Sequence, residues 1–221
     1  MSDVDRELVY VGDPMCSWCW GIAPELDRLL EANPEVPFRL VLGGLRPGPD
    51  AAEMTDRMAQ TLAHHWHQVA ARSGQPFDHS LLERRDWVYD TEPASRAVVV
   101  MRHRNEPLAW PLFKRLQGAF YGEGIPISDR HRLAAVVGEF DDDIDGFMED
   151  FDRSDSIKET WRDFALARNW GITGFPTVFL RDGDRGHLIA QGYAPAYEME
   201  ISLARLTSAT GEAMCAPGEV C

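Results

Sequence analysis

Two cysteines three positions apart, Cys16-Ser17-Trp18-Cys19, stand between a strand-like run and a helix-like run, and no other feature narrows the fold as much. Upstream, Glu7-Leu-Val-Tyr-Val-Gly12 has the composition of a buried strand, and Pro14 ends it. Downstream, Trp20 to Leu30 is amphipathic at helical spacing. The two thiols therefore sit one turn apart at a helix start. There the free backbone N–H groups and the positive end of the helix dipole favour thiolate over thiol, which makes the first sulfur a nucleophile. Residues so spaced on a helix have Cβ atoms about 5 to 6 Å apart, within reach of a disulfide after a small adjustment of the first turn. The segment reads as a reversible dithiol switch.

With 221 residues, the chain can bury the core of one domain, or of one domain carrying a large insertion. A net charge of −14 argues against a nucleic-acid or anionic-membrane surface, since both attract the opposite sign. The opening Met1-Ser-Asp-Val-Asp-Arg-Glu7 has neither a basic nor an apolar leader segment, and no apolar run reaches about 18 residues. The expectation is a cytoplasmic protein without a membrane span. In a reducing compartment a CxxC is redox-active or metal-binding rather than a permanent bridge. Of the three pairings open to four cysteines, the local ones, Cys16/Cys19 and Cys215/Cys221, are the simplest.

Pro37-Phe-Arg-Leu-Val-Leu42 reads as a second strand ending at Gly43-Gly44, so the chain begins with a βαβ unit. From Asp50 to Gly171 the pattern is almost wholly helical. Asp50 with Glu53 makes a capping box, and Met54, Met58, Leu62, Trp66 and Val69 keep helical spacing before Gly74. Further helices are predicted over 92–104, 108–121, 129–139 and 155–170. Thr177-Val-Phe-Leu180, a turn at Asp182-Gly183, and His187-Leu-Ile-Ala190 read as a hairpin, followed by a helix over 196–207. The sum is an α/β chain: a thioredoxin-like fold with a large α-helical insertion between its βαβ half and its ββα half. Its parts are residues 1–48 with 172–214, the insertion 49–171, and a tail 215–221.

The runs Asp13-Pro-Met-Cys16-Ser-Trp-Cys19-Trp-Gly21 and Gly171-Ile-Thr-Gly-Phe-Pro176-Thr-Val-Phe179 resemble the two active-site segments of the DsbA family, most of all its cytoplasmic, FrnE-like members. The resemblance covers nearly the whole chain, including the helical insertion. It implies that Cys16 is the exposed attacking thiol and Cys19 the resolving one, and that Pro176 is a cis-proline facing them. The backbone around Phe175 would then turn outward to pair with a substrate strand. The implied chemistry is thiol–disulfide exchange through a mixed disulfide. Direction follows potential, and the reducing and oxidising extremes of this fold differ by about 150 mV. Ser17-Trp18 matches neither of the familiar Gly-Pro or Pro-His pairs between the cysteines, so direction stays open.

Trp18, between the thiols, is expected at the surface in a substrate-gripping rim, which Met15 and Trp20 either join or underlie as packing. Asp13 either relays a proton or shapes the Pro14 turn, and the turn is the reading taken. Cys215 and Cys221, with Pro217-Gly218 between them, are a candidate second redox pair; FrnE-like proteins are similar in carrying one. Asp141, Asp143, Asp145 and Gly146 match part of a calcium loop, but Asp152 stands where the bidentate Glu belongs, and Asp145 is expected to cap a short helix instead. His64, His65 and His67 read as a solvated surface cluster, and the tail spacing of Cys215 and Cys221 disfavours a four-thiolate zinc site. No metal is expected.

The function expected is a cytoplasmic thiol–disulfide oxidoreductase acting on protein or small-molecule disulfides and thiols. It needs no cofactor beyond its own dithiol, with glutathione as a candidate co-substrate. Cys16 and Cys19 are its catalytic residues, and Trp18, Phe175 and Pro176 its substrate-binding ones. Two rivals stand beside it: a glutathione-binding isomerase or transferase of the same fold, whose relatives lack the paired cysteines, and a non-catalytic polypeptide-binding module.

Overall fold

The computed structural model describes residues 6–208. Strand β1 (Arg6–Gly12) is central. It pairs in parallel with β2 (Phe38–Leu42) across helix α1 (Ser17–Ala32), and antiparallel with β5 (Thr177–Asp182), which β6 (Arg185–Gln191) extends as a hairpin. The sheet order is β2-β1-β5-β6, so both ends of the chain build one sheet. Strand alternation divides β1 between two faces. Leu8 and Tyr10 join Ile22, Leu26 and Leu29 of α1, while Val9 and Val11 meet Val41 and Phe179 on the other face.

Between β2 and β5 run β3 (Ala52–Glu53), α2 (Asp56–Ser73), β4 (Val88–Tyr89), α3 (Glu92–Arg104), α4 (Ala109–Gln117), α5 (Arg130–Val137), α6 (Ile144–Asp152) and α7 (Ser154–Asn169). Helix α4 widens into a π turn at Gly118–Gly122 that buries Phe120 and Tyr121. Helix α7 lies within the stretch read as insertion, yet its Ala167 covers the second face of the sheet. Asp163 of α7 accepts from the Leu42 amide (3.1 Å) and pairs with Arg102 of α3 (2.9 Å), pinning the end of β2. Helix α8 (Ala196–Ser208) buries Met199 and Leu203 in the same core as α1.

Two local readings are corrected. Asp50 and Glu53 do not cap α2; Thr55 does, accepting from the Met58 amide. The reason is that Ala52–Glu53 pair with Val88–Tyr89 in a short second sheet, which delays the helix start. Asp145 does not cap α6 either, because Asp143 accepts from the Gly146 amide. The acidic run has its own cation: Arg104 is gripped by Asp141 (2.7 Å), Asp143 (2.9 Å) and Asp150 (2.7 Å). His64, His65 and His67 are exposed on α2. Among the described residues no three His, Cys, Asp or Glu side chains could hold a metal ion together.

The insertion is fastened to α1 at a defect in that helix. Pro24 has no N–H, so the carbonyl of Trp20 one turn earlier lacks its helical donor. Gln75 supplies one through Nε2 at 3.0 Å, and the Trp20 indole donates to the Pro76 carbonyl at 3.0 Å.

Candidate active site

Cys16 is the last extended residue before α1, with φ −95° and ψ 117°, and no side chain caps the helix there. Its thiol donates to the carbonyl oxygen of Phe175 at 3.6 Å, across a Phe175–Pro176 peptide bond that is cis. Cys19 lies on the next turn within hydrogen-bonding reach of the Cys16 sulfur. Both thiols are free. Cys19 is wholly buried, and its thiol is pushed well above the ordinary range, first by burial and then by its hydrogen bond to Cys16 and the charge Cys16 carries when ionised. Cys19 is thus placed to keep its proton.

The turn before Cys16 is braced from three sides. Asp13, fully buried, accepts from the amides of Met15 (2.8 Å) and Leu45 (2.7 Å), joining the cysteine turn to the segment after β2. Burial pushes its carboxyl up to about 6, against the pull of those hydrogen bonds. Tyr89 of β4 donates to the Met15 carbonyl at 2.7 Å. Gly43 closes the third side: a Cβ there would collide with the Phe175 ring, so only glycine lets Phe175 settle beside the thiol.

A family model described as the DSBA-like thioredoxin domain matches residues 7–197. The chain belongs to that family. Among solved structures it is similar to one described as a "putative protein disulfide isomerase" from Nitrosomonas europaea, with a TM-score of 0.84 and 27% identity, covering 93% of this chain and 98% of that one. It is similar also to the cytosolic disulfide reductase DsbM from Pseudomonas aeruginosa, with a TM-score of 0.77 and 27% identity, covering 92% and 98%. The same reductase with GSH gives 0.73 and 27%, covering 92% and 99%. No curated protein matches the chain in sequence. The enzyme class that goes with this membership and these neighbours is oxidoreductase.

In this DsbA-like chain Cys16 is recessed, which corrects the expectation that it is exposed. Only 6% of the residue is accessible, and it shares a cleft with Phe175, Tyr89 and the first half of α2. Cys16 lines a cleft of about 500 Å³. Trp18 is half-buried on its wall, with its ring 6.5 Å from that of Tyr193. Met15 is wholly buried, and Trp20 stacks on Tyr121, so neither joins a rim. The cleft is lined by Arg46, Arg57 and His65 and by no carboxylate, in a chain of net charge −14.

DsbA-like motifs did not point to Tyr89, Arg46 or Leu45, whose roles arise from contacts distant in sequence. Tyr10 was legible only as an apolar strand position. Cys215 and Cys221 lie outside the described residues. Among those residues no helix is long and apolar enough to cross a membrane.

Proposed function

We propose that this chain is a cytoplasmic thiol–disulfide exchange enzyme whose preferred partners are small anionic thiols and disulfides of the glutathione class. The observation that carries this is the placement of the recessed Cys16 in the lining of a cleft that also holds Arg46 and Arg57 and no carboxylate. A recessed sulfur is reached more readily by a small or extended partner than by a folded protein surface. The two carboxylates of a glutathione-like peptide would find Arg46, Arg57 and His65 near the mouth. Glutathione bound to DsbM and the cytosolic description of that reductase support the same reading.

The Cys16 thiolate attacks one sulfur of a disulfide, forming a mixed disulfide and expelling the other sulfur as thiolate. Cys19 then gives up its proton and attacks the Cys16 sulfur, expelling the second substrate thiolate. The substrate gains two electrons, and the enzyme is left with a Cys16–Cys19 disulfide. In reverse, the same steps donate a disulfide. Phe175, through the carbonyl that faces Cys16, and Trp18, on the cleft wall, hold the incoming chain, with Pro176 fixing the turn of backbone between them and β5.

The test compares reduction of a glutathione mixed disulfide with reduction of insulin, in the wild type and in Cys16→Ala and Cys19→Ala variants. Exchange on the small substrate lost in both variants supports the reading. Activity that survives loss of Cys19 would assign the chain to glutathione-dependent isomerases or transferases. Polypeptide binding that survives both substitutions, without exchange, would make it a binding module.

A further inference from the structure

Tyr10 is an interior residue whose hydroxyl serves nothing in the resting structure. It sits mid-strand in β1, opposite Leu40 of β2 and Val178 of β5, with no exposed surface. Its ring is held edge-on by Trp110 (centroids 5.5 Å) and Phe113 (5.8 Å) of α4. The side chain runs along the sheet over Gly12, where a Cβ would stand 2.6 Å from the hydroxyl oxygen. That oxygen makes no hydrogen bond in the resting structure, and the neighbouring side chain that acts on it most strongly is that of Cys19. A Phe would fill the same space without leaving a buried donor unpaired.

A thiol is a weak acceptor, whereas a thiolate accepts a charge-assisted hydrogen bond. The Tyr10 hydroxyl is thus of use mainly when Cys19 is ionised, the state in which Cys19 attacks the mixed disulfide. We propose that Tyr10 is the hydrogen-bond donor to Cys19 in the resolving step, fixed in advance where the negative charge develops. The phenol keeps its own proton, since burial and then the neighbouring Cys19 push it well above its ordinary range. The proton of Cys19 therefore leaves by another route.

Around this pair stand Cys16 and Asp13 from the cysteine turn, Tyr89 from β4 and Tyr121 from the π turn, the two tyrosines pushed upward chiefly by burial. Of these, Asp13 titrates near 6 and is present in every variant below, so it cancels in the comparison. The resolving role rests on the exchange function proposed above, but the hydrogen bond can be measured without turnover.

In a background carrying Cys16→Ala, Cys215→Ala and Cys221→Ala, Cys19 is the one thiol left, and thiolate absorbance near 240 nm reads it as pH is raised. Adding Tyr10→Phe is expected to move the midpoint upward by about one pH unit. In the chain with both cysteines, the rate at which a preformed mixed disulfide on Cys16 resolves should then fall about tenfold at neutral pH, while the rate of the first attack is unchanged. Gly12→Ala, which displaces the hydroxyl and keeps the tyrosine, should move the midpoint in the same direction and serves if Tyr10→Phe does not fold. Coincident titrations with and without the hydroxyl would overturn the inference. If the titration shifts but wild-type protein forms no mixed disulfide, the hydrogen bond stands and the exchange function falls.

Discussion

Tyr89 donates to the carbonyl oxygen of Met15 at 2.7 Å, across a sequence separation of 74, and so fixes from the helical insertion the backbone that carries Cys16. Tyr89 is itself held by the ring of Phe120 and by the Arg46 guanidinium 5.5 Å from its centroid. The insertion is thus part of the site's framework. Replacing Tyr89 with Phe keeps the packing and removes the donor. Urea unfolding is expected to show a loss of about 1 to 2 kcal/mol. Hydrogen exchange at the Met15 and Cys16 amides should quicken more than elsewhere, since those groups lie in the turn that loosens. A loss spread evenly over the chain would contradict a local brace.

The second fastening allows a sharper test because its cause is a single missing hydrogen. Gln75→Ala leaves the Trp20 carbonyl without the donor that Pro24 denies it, at an expected cost of about 1 to 2 kcal/mol. In a Pro24→Ala background the helix regains its own N–H for that carbonyl, and Gln75→Ala should then cost little. A double-mutant cycle by urea unfolding measures the coupling directly. Additive losses would mean that Gln75 acts through something other than the Trp20 carbonyl.

What could be read from the sequence was what depends on near neighbours. The alternation of Leu8 to Val11, the amphipathic α1 and the cysteines at its start are local patterns, and each led to the observed element. The capping box failed because a pairing of Ala52–Glu53 with Val88–Tyr89, made by residues more than thirty positions apart, outranked a local preference. In the acidic loop the cap proved to be Asp143 rather than Asp145, and Arg104, far upstream, pairs with Asp141, Asp143 and Asp150 there. Tyr10 was visible as an apolar-face residue, but nothing local says that its hydroxyl ends beside Cys19. The recess around Cys16 depends on α2, Tyr89 and Phe175 lining one cleft with it, which no window of sequence contains.

Asp13 gives the fold a pH dependence of unusual sign for a carboxylate. An unfolded Asp ionises near 3.9, whereas burial holds the folded Asp13 carboxyl up to about 6. Below about pH 4 both states are protonated and the contribution to stability is fully present. As pH rises from about 4 to about 6 the unfolded chain ionises freely while the folded one resists, so stability is lost, by about 3 kcal/mol in all. Asp13→Asn should flatten the difference between variant and wild type outside this window and concentrate it within, as read by urea unfolding from pH 3.5 to 7.5. A difference curve without slope between pH 4 and 6 would show that the carboxyl is not the group responsible.

The cationic lining of the cleft makes a prediction about substrate charge that the thiols alone do not. Arg57 is exposed at the mouth and makes none of the structure's ion pairs among the described residues, so its removal leaves the framework of the site in place. Arg57→Ala should raise KM for a glutathione mixed disulfide by up to about fivefold, the upper range of one solvent-exposed ion pair, and Arg57→Glu by more, since repulsion replaces attraction. kcat should hold, because the contact is equally present before and during the chemical step. For a neutral small disulfide neither substitution should matter, and added salt should weaken the preference for the anionic substrate in the wild type but not in Arg57→Glu. Steady-state kinetics with the paired substrates at two ionic strengths decides it. Equal effects on both substrates would mean that Arg57 shapes the cleft rather than reading charge.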